Sequence, residues 1–265
     1  MALQTRSRLR SLRLRLRLGL AASLGLILTS ASTATAGEMV EFKNAMGQPT
    51  RGYLAAPDGD AKAPAVLVIQ EWWGLTDWIK ENADRLADQG YVALAVDLYD
   101  GKSTDDPEEA HELMRALDPS EGVADLKGGI EFLRSHDRVD QGKPIGAIGW
   151  CMGGMYSRMV AQQSDQVGPT VICYGSVTTD PEQIEALAGR PVLGIFGAQD
   201  RGIPADRVRQ VFDALKEAGS EAKLHLYDDA GHAFMRPGGS YAEGSANDAW
   251  QQIDAFLAEH LKGSE

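Results

Sequence analysis

Pro144-Ile145-Gly146-Ala147-Ile148-Gly149-Trp150-Cys151-Met152-Gly153-Gly154 is the stretch that decides the fold. An apolar run of strand length ends on a nucleophilic side chain, and a helix-like segment follows at once. So tight a turn forces the residue at its tip into a strained backbone, so small residues are needed two before and two after it. Gly149 and Gly153 stand in those places. The turn presents Cys151 where such elbows more often carry serine. A buried structural cysteine beside a glycine turn has the same local pattern, since free cysteine packs as a small hydrophobe. The rest of the chain decides between the two.

Outward from this stretch, short apolar runs alternate with helical periods. Val40-Glu41-Phe42-Lys43 and Arg51-Gly52-Tyr53-Leu54 flank Asn44-Ala45-Met46-Gly47 and predict an opening antiparallel hairpin. Apolar runs follow at 65–69, 91–96, 145–148, 171–174, 192–196 and 223–227. Short, doubly apolar strands suit a parallel sheet covered on both faces. Helical periods fall near 77–89, 120–136, 152–163, 205–219 and 243–261. The alternation predicts an α/β chain, a doubly wound, mostly parallel sheet of about seven to eight strands with helices on both faces. Residues 37–265 read as a single domain, and 43% hydrophobic residues suffice for its core. Gly101 to Pro119 is polar and acidic with one short helical period. It reads either as a lid over the site or as a solvated surface excursion.

Four polar residues then stand just beyond predicted strand ends, where such sheets place their ligands. They are Glu71, Cys151, Asp200 and His232. The order nucleophile, acid, histidine is one of the known triad orders and carries fold information. His232 lies in the small-residue loop Asp229-Ala230-Gly231-His232-Ala233-Phe234, suited to a base that must reach the thiol while a carboxylate orients it. Asp200 is the candidate orienting group. Asp97 is the rival acid, but it precedes the nucleophile in the chain. His111, His136, His225 and His260 lack the loop context and read as surface or strand positions. Glu71, in Gln70-Glu71-Trp72-Trp73-Gly74-Leu75, is a second carboxylate that could take the thiol proton, since the thiolate is the competent nucleophile.

Taken together, Gln70-Glu71-Trp72-Trp73-Gly74, Gly149-Trp150-Cys151-Met152-Gly153-Gly154, Gln199-Asp200 and Gly231-His232-Ala233-Phe234 resemble the dienelactone hydrolase family of the α/β-hydrolase superfamily, over residues 38–262. Cysteine in the elbow with glutamate after the earlier strand separates that family from ordinary serine esterases. The resemblance implies hydrolysis of a small ester or lactone through a Cys151–His232–Asp200 triad and an acyl-cysteine, with Glu71 helping to generate the thiolate. It implies an oxyanion hole built from the backbone N–H groups of Met152 and Trp72, and a substrate carboxylate anchored on Arg236. Trp72, Trp73, Trp150 and Phe234 are expected to wall an apolar pocket. The archetypal enzyme has a further arginine before its lid helix; here Asp106-Pro107-Glu108-Glu109-Ala110-His111-Glu112-Leu113-Met114 carries no basic residue at the aligned position. One anionic anchor is therefore missing, which sets this chain apart from the dienelactone enzyme itself.

Residues 1–36 belong to another compositional class. Six arginines and no acid precede an apolar run from Leu18 to Leu28, and Ala34-Thr35-Ala36 follows. Basic start, short apolar core and small-x-small site predict a cleavable signal and a secreted or periplasmic protein, with a mitochondrial presequence as the competitor. No arginine pair marks a twin-arginine route. Loss of those arginines makes the formal charge of −12 more negative by six. Such an acidic chain repels nucleic acid and anionic membrane surfaces. The expected partner is a small ester or lactone, with carboxylate-bearing ones included, and the expected state is a monomer. Gly101-Lys102-Ser103 lacks the first glycine of a phosphate loop, and no metal-ligand spacing or cofactor motif is present. Two other readings stay open: a catalytically silent binding protein on the same fold, and a redox-responsive thiol protein joining Cys151 to Cys173.

Overall fold

The computed structural model describes Met1, residues 37–238 and residues 240–263. The secretory signal expected over residues 1–36 lies, beyond Met1, outside the described residues. The chain opens with the hairpin of β1 (Glu38–Lys43) and β2 (Pro49–Ala55), paired antiparallel. Asn44 makes the turn: its side-chain oxygen accepts the N–H groups of Met46 and Gln48, and Gly47 takes a φ of 82°.

Eight strands form one sheet in the order β1-β2-β4-β3-β5-β6-β7-β8. The remaining strands are β3 (Ala65–Ile69), β4 (Val92–Val96), β5 (Ile145–Trp150), β6 (Val167–Cys173), β7 (Pro191–Gly197) and β8 (Glu221–Tyr227). β2 runs antiparallel to β4, and every pair from β4 to β8 is parallel. Every residue of β3, β4 and β5 is buried, as strands covered on both faces must be. The predicted fold class is the one observed, an α/β sheet with its helices packed against it.

α1 (Asp77–Asp88), α3 (Pro119–Ser135), α4 (Met152–Gln163), α6 (Ala205–Glu217) and α7 (Glu243–Leu257) answer the five helical periods, the last continued by a π-helical turn over Ala258–Lys262. α6 shows why the period was legible. It buries Val208, Val211, Phe212 and Leu215, spaced three, four and seven residues apart, against β7 and β8. Each such side chain contributes about 1.5–3 kcal/mol by burial. Of two further helices among the described residues, α2 (Pro107–Ala116) answers the short helical period read within 101–119, and α5 (Pro181–Glu185) had no period. α2 buries only Ala110, and α5 is a short turn burying Ile184. Both carry a signal at the start: Asp106-Pro107 and Asp180-Pro181, like Asp118-Pro119 before α3, place a capping carboxylate before a proline at the first helical position. Asp106 accepts the N–H groups of Glu108 and Glu109.

Candidate active site

Cys151 sits between β5, in the middle of the sheet, and the first turn of α4. Its φ of 56° and ψ of −114° are a strained conformation for an L residue. Glycine is required on either side of it. A Cβ at Gly149 would run into the carbonyl of Gly153, and a Cβ at Gly153 would run into the carbonyls of Ile69 and Gln70. The Cys151 N–H donates to the Cys173 carbonyl at 3.0 Å and ties the elbow to β6.

The ends of β5, β7 and β8 bring three distant side chains together. His232 Nε2 lies 3.1 Å from Cys151 Sγ, and His232 Nδ1 lies 2.6 Å from Asp200 Oδ2. An ionised carboxylate only accepts, so Nδ1–H is the donor to Asp200. Asp200 is itself held, its Oδ1 accepting the N–H groups of Gly202 (2.8 Å) and Ile203 (3.1 Å). Burial raises the Asp200 carboxyl, but the His232 imidazole and these two N–H groups outweigh it and leave Asp200 below its ordinary value. Burial likewise disfavours a charged His232, yet Asp200 and the Cys151 sulfur overcome it and push His232 up to about 10. Four non-glycine residues among those described have positive φ, and three of them, Cys151, Tyr174 and Ala233, flank this site. Tyr174 packs edge-on against the His232 ring at 5.4 Å between centroids.

A cleft of about 650 Å³ opens over Cys151 and His232, lined also by Glu71, Trp72, Trp73, His111, Met114 and Arg236. Glu71 is 2% exposed and burial pushes its carboxyl up to about 7, against the opposing pull of Arg236 and His232. Among the described residues its Oε2 accepts no hydrogen bond, and the Arg236 Nε approaches it to 3.5 Å. Among the described residues no hydrogen bond joins Glu71 to the Cys151 sulfur; the sulfur's partner is His232. The Arg236 guanidinium also lies over the Trp73 ring at 4.9 Å. Trp72 and Trp73 meet edge-on at 4.9 Å. The N–H groups of Met152 and Trp72 go to no backbone carbonyl among the described residues.

Two expected pocket walls are elsewhere. Trp150 and Phe234 are both fully buried. Trp150 packs between Trp78 and Trp250, and Phe234 between Tyr174 and Tyr227. In each case the neighbour in sequence, Cys151 or Ala233, faces the cleft instead. His111, read as a surface or strand position, is exposed on α2; it also lines the cleft and meets the Trp72 ring edge-on at 5.0 Å. With Met114 it brings α2 to the wall of the cleft. Its local sequence does not signal this, because the contact joins residues far apart in the chain. Asp97 is bound to Arg51 at 3.1 Å and lines no part of this cleft. Both cysteines are free, and Cys173 is fully buried. Away from the cleft, Glu221, Glu259 and His260 come within 4.8 Å of one another, a grouping the linear spacing hides. Lys223 already pairs with both carboxylates there.

The profile of the dienelactone hydrolase family matches residues 50–261. "Protein usf" from Aquifex pyrophilus is 34% identical over 239 residues, covering 85% of this chain and 99% of that protein. An Escherichia coli (strain K12) protein named "Putative carboxymethylenebutenolidase" is 33% identical over 218 residues, covering 76% of this chain and 79% of its own. The crystal structure of a "Putative Dienelactone Hydrolase" from Klebsiella pneumoniae subsp. pneumoniae MGH 78578 superposes with a TM-score of 0.74 at 30% identity, over 85% of this chain and 100% of that one.

Proposed function

The chain belongs to the dienelactone hydrolase family and is a hydrolase, and from that premise we propose that it opens small carboxylic esters or lactones through a Cys151–His232–Asp200 triad and an acyl-cysteine. The observation that carries this reading is the line from Asp200 Oδ2 through the two ring nitrogens of His232 to Cys151 Sγ, 2.6 and 3.1 Å in turn.

In the proposed sequence Asp200 fixes the ring and stabilises its protonated form. At neutral pH His232, raised to about 10, already holds the proton and pairs with the Cys151 sulfur, which attacks the acyl carbon. The oxyanion falls to the N–H groups of Met152, at the positive end of α4, and Trp72. One such donor is worth about 3–4 kcal/mol of transition-state stabilisation. As the acyl carbon–oxygen bond breaks, His232 Nε2 gives its proton to the leaving oxygen. Water then loses a proton to His232, adds to the thioester and releases the acid. Glu71 is a second proton acceptor for the thiol, and a carboxyl at about 7 is well poised for that at neutral pH. Arg236 anchors a substrate carboxylate, with Trp73 beneath its guanidinium.

Turnover of activated esters and lactones should disappear in Cys151→Ala with the circular dichroism spectrum unchanged, and iodoacetamide should abolish it in proportion to the Cys151 alkylated. Cys151→Ser should be severely impaired, since Glu71 suits a thiol and not an alcohol. Full turnover by an alkylated enzyme sinks the proposal.

A further inference from the structure

A second cavity, of about 280 Å³, meets the main cleft at the Cys151–His232 pair. It shares Cys151, His232 and Met114 with the main cleft, but its remaining wall is of another kind. Leu117, Met152, Met155, Tyr156 and Ile203 line it, and no Asp, Glu, Lys or Arg does among the described residues. The main cleft has Arg236 and Glu71. Two chambers therefore meet at one sulfur, one bearing a guanidinium and a carboxyl, the other no charged side chain among the described residues.

An ester carbonyl carbon seated on that sulfur sends its acid half and its alcohol half in different directions. A lactone ties those halves into one ring and occupies one chamber. We infer that the physiological substrate is an open-chain ester whose acid half carries a carboxylate toward Arg236 and whose apolar alcohol half fills the second chamber. This rests on the acyl-cysteine reading above and narrows it to a substrate class. Size agrees, since an apolar cavity of about 150 Å³ holds a benzene ring. The methionine-rich wall suits alkyl or aryl groups of varied shape.

The direction follows from the order of events. When the sulfur–carbon bond forms and the carbon–oxygen bond breaks, the alkoxide takes the proton from His232 and departs as the free alcohol. Arg236 keeps hold of the acid half through the following hydrolysis, which returns the thiol and releases the acid. The alcohol must be able to leave, and Pro119 and Ser176 at the edge of the second chamber are exposed.

The test uses the full chain and the monomethyl, monobutyl and monohexyl esters of succinate, with methyl esters of lengthening fatty acids and a small unsubstituted lactone as comparators. Along the succinate series kcat/KM should rise about two- to fourfold per added methylene until the chamber is full. The hexyl-to-methyl ratio should collapse in Leu117→Trp and in Met155→Phe, two half-buried positions on the chamber wall. A flat succinate series, or a lactone turned over as fast as the hexyl ester, overturns the inference while leaving the triad intact. A steeper gain along the fatty-acid series reverses the two halves and also overturns it. Turnover that survives alkylation of Cys151, or no turnover of any of these compounds, removes the acyl-cysteine reading and this inference with it.

Discussion

Cys151 pays for its position: a φ of 56° on a non-glycine residue costs about 1–3 kcal/mol, which the packed sheet beneath it offsets. The return is a sulfur held at 3.1 Å from His232 without any motion of the chain. His232 in turn depends on Asp200. In Asp200→Asn the imidazolium loses the carboxylate that stabilises it, and the amide can hold the ring in the wrong tautomer. The His232 titration, followed by NMR, should then fall from about 10 toward the ordinary 6.5. Turnover should drop by about a thousandfold or more. A His232 midpoint that stays near 10 in that variant would mean that Asp200 does not set the charge of the ring.

At the scale of elements, the strands that carry the site and the helix α2 that borders it differ in what holds them. β3 and β5 are buried along their whole length, so the ends that position Glu71 and Cys151 open only with the whole fold. α2 buries a single alanine and depends on its cap, where Asp106 takes two N–H groups. Asp106→Ala should remove about 1 kcal/mol from α2 alone. Hydrogen exchange over residues 107–116 should quicken about fivefold, with protection in β3 and β5 unchanged. Equal loss of protection in the strands would show that α2 is part of the global unit. His111 and Met114 ride on this helix, so this wall of the cleft is the least firmly held part of the site.

For the whole molecule, the site makes stability depend on pH. Glu71 titrates near 7 in the folded chain against 4.5 as its ordinary value. Between those values the unfolded chain has lost the proton that the folded chain keeps, so stability falls as pH rises through this window. The full effect is on the order of 3 kcal/mol. His232 acts next: its stabilising charge is complete below 6.5 and is lost as pH rises toward 10. Asp200, held low, contributes stability above its ordinary value that is lost only in acid. Urea unfolding of the wild type should therefore show highest stability at mildly acidic pH and a decline across neutrality. Glu71→Gln should flatten the decline between pH 5 and 7 and leave the alkaline part. An unchanged slope in that variant would mean that the buried carboxyl is not its source.

The sequence by itself determined the sheet, the helical periods of all the described helices but α5, and the identity and order of Cys151, Asp200 and His232. Those features are written in periodicity, in glycine placement and in chain order, all of which are local or one-dimensional. Packing decided the rest. Trp150 and Phe234 read as pocket walls because residue type alone does not say which way a ring points; the cleft side is taken by their neighbours Cys151 and Ala233. His111 entered the site only because its ring meets Trp72, a contact between residues far apart in the chain. The raised carboxyl of Glu71 and the apolar chamber beside Met155 are likewise products of burial. Burial depends on every layer of the fold at once, and no short stretch of sequence records it.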